Sequence, residues 1–171
     1  LFSTLYTVAK DVKLQLTFNK DAVSAYRLVG YENRLLNNED FLDDTKDAGE
    51  LGAGHSLTVC YELVLTDSAM EADEWMKLGV RYKAPNGDKS EGQEYSFGKA
   101  AYTETPSNSF KFICCVVETS MLLHDSEYIG NVTLEDITET LSTLQLDNDE
   151  EKAQFKTLLQ KLAENKGEYK Y

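Results

Sequence analysis

The chain is short of basic residues and of long apolar runs, and each shortage narrows the classes of function. Its 171 residues include 17 lysines and arginines against 30 aspartates and glutamates, which gives a formal net charge of −13. Such a charge repels phosphate backbones and anionic lipid, so we expect no binding to nucleic acid. No apolar run approaches the length that spans a bilayer, so direct insertion of this chain into a membrane is not expected either.

Reactive and metal-binding side chains are also few. Histidine occurs only at His55 and His124, and cysteine only at Cys60, Cys114 and Cys115. Adjacent cysteines rarely form a disulfide with each other because the geometry is strained. Two histidines without cysteines at ligand spacing fall short of an ordinary zinc site. The sequence therefore predicts no cofactor, and we interpret the cysteines as small buried hydrophobic residues.

The rest of the composition is that of a folded protein. Hydrophobic residues make up 42% of the chain, and a chain of this length can bury close to ~70% of its unfolded surface. The sequence opens on Leu1 inside an apparent strand instead of on a methionine. We therefore expect it to be a piece of a longer protein, so that missing targeting signals carry no information.

Alternation of apolar and polar residues, the pattern of half-buried strands, dominates the first part of the chain. The clearest predicted strands are residues 11–18, 23–29, 55–65, 78–82 and 94–97. The turn at 84–88 contains an Asn-Gly pair, which supplies positive φ angles for a tight reversal. About six strands joined by short turns are typical of an antiparallel sandwich.

Beyond Pro106 the apolar spacing becomes helical. The expected starts of three helices are Ser107 or Asn108, Thr133, and the acidic run 147–151. Strands followed by helices predict the α+β class. In detail, we expect an antiparallel β-sandwich-like region at 1–104 and a C-terminal helical subdomain at 105–171 packed on it.

Five segments spread over most of the chain carry a family resemblance: 27–34 (RLVGYENR), 43–50 (DDTKDAGE), 52–56 (GAGHS), 78–83 (LGVRYK) and, more weakly, 121–128 (MLLHDSEY). They resemble the C-terminal domain that follows the A domain in bacterial von Willebrand factor type A proteins of the YfbK-like kind. The resemblance implies an adjacent A domain in the same chain as partner. It also implies an exported, often lipid-anchored protein of the bacterial cell envelope. It implies no activity, because none is described for the family.

The densest polar set follows the second predicted strand. A charge buried in a strand costs several kcal/mol unless it is paired. We therefore expect Arg27 or Arg34 to pair with an acidic residue and lock the acidic loop to the sheet; the candidates are Glu32, Asp47 and Glu50. Alternatively, Tyr31 and the arginines form a contact patch for the A domain. The candidate binding residues for such an interdomain or loop patch are Arg27, Tyr31, Glu32, Asn33, Arg34, Asp47, Glu50 and His55.

The acidic loop at 40–50 also has a calcium interpretation. Asp43 and Asp47 fall at alternate positions with Thr45, as calcium ligands would, but Gly54 stands where an EF-hand loop needs its glutamate. The competing interpretation is a solvated loop braced by Arg34 or Lys46 and anchored through residues 41 and 42, Phe and Leu.

The leading functional hypothesis is a non-enzymatic module that supports or presents the adjacent A domain to an unidentified protein ligand. One alternative is an envelope hydrolase using His55 and His124, which have a serine and an aspartate beside them. No Gly-x-Ser-x-Gly elbow accompanies them, and neighbours in sequence are not the geometry of a catalytic triad. The other alternative is a binding module made rigid by calcium.

Overall fold

A computed structural model describes residues 6–30, 36–146 and 149–165. The chain divides into two compact units, Leu1–Tyr102 and Thr103–Tyr171. The first unit contains the strands and the second contains the helices, all strand pairs being antiparallel. The α+β prediction is therefore confirmed.

Six strands occur in the described part of the first unit: β1 Thr7–Phe18, β2 Val23–Val29, β3 Gly49–Gly52, β4 Cys60–Leu65, β5 Met76–Lys83 and β6 Ser90–Phe97. They form a four-stranded sheet in the order β3-β1-β5-β6 and a two-stranded sheet of β2 and β4. Short 3-10 turns at Asn38–Phe41 and Ala69–Glu71 lie between strands, and a third at Lys99–Ala101 follows β6.

The central pair of the large sheet is β1 with β5. Its register places Lys13 opposite Arg81 and Gln15 opposite Gly79 on one face. On the other face Leu14, Leu16, Leu78 and Val80 follow the predicted alternation. Residue Asp11 interrupts β1 as a bulge with a φ of 52°, in the left-handed region that aspartate tolerates better than most residues.

The small sheet is joined to the large one by an apolar cluster. Trp75, Ala22, Val23 and Ala69 are buried together, and the Trp75 indole N–H donates to the Ala69 carbonyl at 2.8 Å. The Phe18 ring at the end of β1 stacks on Tyr26 of β2, with the ring centroids 4.1 Å apart. These contacts hold the two sheets of the first unit together.

Two expectations for this unit need correction. The strand predicted from His55 begins only at Cys60, because residues 55–59 have no ladder partner among the described residues. The 84–88 turn forms, with the Gly87 N–H donating to the Ala84 carbonyl at 2.9 Å. Gly87 does not, however, adopt a positive φ. Pro85 sets the first corner of the turn instead.

The second unit contains α1 Asn108–Leu123, α2 Leu134–Thr143 and α3 Glu150–Glu164. Their N-caps are Ser107, Thr133 and Asp149, each accepting a hydrogen bond from a backbone N–H of the first turn. Thr133 also completes the predicted capping box with Asp136. In the described residues no helix is long and apolar enough to cross a bilayer.

Apolar residues from all three helices form the core of this unit. Ile137, Leu141 and Cys115 are almost fully buried, and Leu159 of α3 closes the cluster. Leu158, the residue before Leu159 in α3, is instead 63% exposed. A shift of one residue matters because adjacent helical residues point 100° apart.

Candidate functional site

The acidic loop between β2 and β3 folds back over one face of the large sheet. The Phe41 ring lies on Gly79 of β5, where an added Cβ would be 2.9 Å from the ring's Cζ. Any larger residue at 79 would displace the ring. Phe41 is therefore the anchor that the sequence predicted, whereas Leu42, the second predicted anchor, is 68% exposed.

Lys13 of β1 holds the loop from beneath. Its side chain is buried, with the residue only 3% exposed, and its Nζ donates to the backbone carbonyls of Asp40, at 3.1 Å, and Asp43. A buried ammonium group is costly unless it is hydrogen-bonded. The two loop carbonyls meet that requirement, so the position of the loop and the burial of Lys13 depend on each other.

Lys83 of β5 makes a second anchor beside the bulge. Its Nζ donates to the Asp11 carboxylate at 2.6 Å and to the Asp44 carbonyl at 2.8 Å. The Asp11 carboxylate also accepts the Ala48 N–H at 3.3 Å, so it joins β1 to the end of the loop. The hydrogen bond from Lys83 lowers the pKa of Asp11, and the same bond raises the pKa of Lys83.

A third anchor reaches the loop from the other strands of the sheet. Arg81 of β5 forms an ion pair with the Asp44 carboxylate at 3.1 Å, and the Ser90 hydroxyl of β6 donates to the same oxygen. These two hydrogen bonds, Ser90 first, lower the pKa of Asp44. One loop residue is thereby tied to two neighbouring strands.

Two further loop carboxylates, those of Asp43 and Asp40, are satisfied within the loop. Hydrogen bonds from the Thr45 hydroxyl and N–H lower the pKa of Asp43. Burial opposes ionisation of Asp40, but hydrogen bonds from Asn37 and the ammonium of Lys46, 3.5 Å away, outweigh it and lower its pKa. The predicted brace by Lys46 is therefore present.

Two lysine side chains of the sheet occupy the place that a bound cation would take beneath the loop. The Lys13 and Lys83 ammonium groups occupy its inner side and take three backbone carbonyls of the kind that calcium uses as ligands. A divalent cation would meet two positive charges there. Across the described ranges, no group of three or more histidine, cysteine, aspartate or glutamate side chains is arranged to hold a metal ion. The calcium hypothesis for Asp43 and Asp47 gains no support.

Comparison with known proteins identifies the family. The model of a family described as "Uncharacterized protein YfbK, C-terminal" matches residues 3–73 and 66–164. The chain belongs to this family. The uncharacterized protein YfbK of Escherichia coli (strain K12) is 34% identical in an alignment of 154 residues, and the match covers 79% of this chain and 26% of that protein. The chain thus spans about a quarter of the length of the curated relative it matches. No solved structure matches.

Half of the predicted polar patch of this YfbK-family chain, Tyr31, Glu32, Asn33 and Arg34, lies outside the described residues. Arg27 pairs with Glu62 on the neighbouring strand β4, with Nη2 and Oε2 2.5 Å apart. Within the described residues, Lys13, Arg81 and Lys83 hold the acidic loop to the sheet. Pairing of the loop by Arg34 stays a prediction, because Arg34 lies outside the described residues.

The other candidate residues lie around β3. Asp47, just before β3, is exposed. Glu50, in β3, is exposed, as is His55 just beyond the turn that follows. The structure therefore brings Asp47 and Glu50 to one edge of the large sheet, whereas Arg27 belongs to the small sheet.

The two histidines occupy different units. His124 caps the end of α1, where its Nδ1 lies 2.8 Å from the Ser120 carbonyl oxygen, and His55 is exposed in the first unit. His124 is thus hydrogen-bonded to the backbone rather than to a serine hydroxyl. The described contacts of these residues do not favour the hydrolase alternative.

Sequence reasoning missed the basic residues that anchor the loop. Lys13, Arg81 and Lys83 occupy the polar positions of alternating strands, which usually face solvent. Two signals pointed to them: an acidic loop needs cationic partners, and Gly79 interrupts an otherwise regular strand without any turn chemistry. A strand glycine often marks the close approach of another segment.

Proposed function

We propose that this chain is a non-enzymatic module of a longer protein, and that it supports or presents an adjacent von Willebrand factor type A domain for protein binding. The observation that carries the proposal is the construction of the acidic loop. Its buried inner side is satisfied by Lys13 and Lys83, while Asp47 and Glu50 keep exposed carboxylates. A rigidly held, outward-facing acidic edge suits recognition rather than chemistry.

Family membership supports the proposal. The matched region is only 26% of the Escherichia coli relative, so most of that protein lies outside it. The segments that resemble the YfbK-like kind include the anchored loop and the β5 strand that anchors it. An A domain in the remaining sequence is the partner that this resemblance implies.

The same resemblance supports a location in the bacterial cell envelope, with the full-length protein exported and lipid-anchored. Fractionation of cells expressing the full-length protein tests this part separately. Recovery in the membrane pellet, with release by detergent, is expected. Recovery in the soluble fraction after lysis would contradict it.

The central experiment titrates this chain with a separately produced A domain from the same full-length protein, followed by calorimetry. Saturable binding is expected, and the variant Glu50→Lys should weaken it about tenfold, because removing a rim charge pair costs on the order of 1 kcal/mol. Glu104→Lys makes the same charge change at an exposed position of the other unit and serves as the matched control.

Two results would contradict the proposal. One is the absence of binding together with an A-domain melting temperature that is the same in the full-length protein as in isolation. The other is an equal effect of Glu50→Lys and Glu104→Lys, which would show a response to net charge alone.

A further inference from the structure

Strand β6 is the exposed edge of the large sheet. It ends the strand order, runs for eight residues from Ser90 to Phe97, and has every residue except Ser90 exposed. The opposite edge, β3, is only four residues long. A long edge strand presents a row of unpaired N–H and C=O groups that can accept another strand.

The outer side of β6 has no strand partner within the described ranges. Its ladder is with β5 alone, and its one further backbone hydrogen bond joins the Phe97 carbonyl to Trp75. Natural edges are commonly blunted by lysine, proline or a bulge. Strand β6 contains no lysine, arginine or proline. Its register with β5 is also free of shifts, unlike the other three strand pairs.

The side chains of β6 indicate which side chains an added strand would need. Tyr95 and Phe97, 47% and 37% exposed, lie on the apolar face of the sheet opposite Leu78 and Met76. Glu91 shares that face, and Glu94 lies on the other. The Glu94 carboxylate is 3.4 Å from the Lys77 ammonium of β5 and is still 63% exposed, so both faces of the edge carry an accessible carboxylate. The edge is aromatic at one end and acidic towards the other.

We propose that β6 is a docking edge for an extended, basic segment of a partner protein, which adds to the sheet as a further strand. Backbone hydrogen bonds would supply affinity, and alternate side chains would supply specificity. Lysine or arginine opposite Glu91 and Glu94, with apolar residues opposite Tyr95 and Phe97, matches the edge. A second copy of this chain fits poorly, because each copy carries a net charge of −13. This inference does not depend on the proposed A-domain partner.

The test uses the whole chain and a synthetic peptide, acetyl-Ile-Thr-Val-Lys-Thr-Val-Lys-Thr-amide. In antiparallel register this peptide places its lysines opposite both glutamates and its first and third residues opposite Phe97 and Tyr95. Binding is measured by calorimetry, and its location by amide hydrogen exchange. We expect saturable binding, with slower exchange of the β6 amides.

Two controls separate strand addition from simple charge attraction. A peptide N-methylated at alternate residues keeps its charges but loses backbone donors, and it should bind at least tenfold more weakly. The double variant Glu91→Lys/Glu94→Lys should weaken binding of the unmodified peptide at least tenfold. Glu104→Lys paired with Glu139→Lys makes an equal change of charge at exposed helical-unit positions, and it should change binding less than threefold.

Three outcomes would overturn the inference. The first is equal binding of the methylated and unmethylated peptides, and the second is no binding of either. The third is a self-associating chain whose dimer is lost in the Glu91→Lys/Glu94→Lys variant, which would make a second copy the occupant. Circular dichroism of each variant verifies that a loss of binding is not a loss of fold.

Discussion

The two units of this chain obtain their shape from different interactions. In the helical unit the buried residues are mainly leucine and isoleucine from three capped helices. In the sheet unit the buried hydrophobic residues are smaller, apart from Trp75, and three charged residues, Lys13, Asp40 and Lys83, are buried with them. Removing apolar volume should therefore destabilise the helical unit most. Removing a hydrogen-bonded charge should destabilise the sheet unit locally. The following predictions test that contrast, because the chain's one tryptophan reports on the sheet unit and helical circular dichroism reports mainly on the other.

The largest effect is expected from Leu141→Ala in α2. Leu141 is fully buried in the helical core, and truncation of such a leucine costs about 2–5 kcal/mol. The helical signal should melt at a lower temperature while Trp75 fluorescence keeps its own transition. Leu158→Ala, at an exposed position of α3, is the control and should have little effect. A joint shift of both signals would show that the units unfold as one.

The next effect is expected from Gly98→Ala, just after β6. An added Cβ would overlap the carbonyl oxygen of Asp73 and lie 2.7 Å from its carbonyl carbon, so the backbone must move. We expect a loss of roughly 3 kcal/mol, seen as an early transition in tryptophan fluorescence. Gly92→Ala, within β6, meets only an ordinary contact of 3.8 Å and should be neutral or stabilising. Equal behaviour of the two variants would contradict the close-approach explanation.

A smaller and more local effect is expected from Lys13→Met. The substitution keeps most of the side-chain volume but leaves the loop carbonyls of Asp40 and Asp43 without their donor, at a cost of about 1–3 kcal/mol. Hydrogen exchange should accelerate at residues 40–48 and stay unchanged in the helices. Lys10→Met, on the same strand, is the matched control because the described residues show no side-chain hydrogen bond from Lys10 to the loop. Unchanged exchange in the loop would refute the anchoring role of Lys13.

The smallest effect is a difference in pH dependence. The lowered pKa values of Asp11, Asp40, Asp43 and Asp44 mean that the folded state favours their charged forms. Their stabilisation is complete above the ordinary value of 3.8 and is lost as the pH falls through the lower folded values. Loop amides should therefore exchange faster only below about pH 4.

The pKa of Glu118 in α1 is shifted in the opposite direction, upwards. Burial, with the nearby Asp136 carboxylate, raises its pKa above the ordinary 4.5, so its contribution is largest below that value and is lost as the pH rises through the folded value. As the pH falls from neutral to 4.5, the stability of the helical unit should increase slightly. The substitution Glu118→Gln should remove that increase. Below pH 3.8 both units should lose stability. The pKa of the cap residue Asp149 in the helical unit is lowered, as are those of the loop aspartates, so its stabilisation is also lost at low pH. A helical melting temperature that is flat with pH would contradict this assignment.

The sequence predicted those parts of the fold that depend on neighbouring residues. The caps Ser107 and Thr133 and the β2 limits 23 and 29 follow from local chemistry. The α+β class followed from the order of these elements.

The candidate site was harder because it depends on contacts across the sheet. Lys13 and the loop residue Asp43 are 30 positions apart, and Lys83 and Asp11 are 72 apart. Nothing local distinguishes a lysine that points to solvent from one that lies beneath a returning loop. For the same reason the sequence did not predict the ion pair of Arg27, one of the two arginines expected at the loop, with Glu62 across β2 and β4.

The lysines under the loop determine how its conformation depends on the ions in the surroundings. A loop shaped by a bound ion is only as well ordered as the supply of that ion in its surroundings. Here the positive charges are carried by the polypeptide itself, on Lys13 and Lys83. The acidic edge that the loop presents should therefore keep one conformation in media of widely different mineral content.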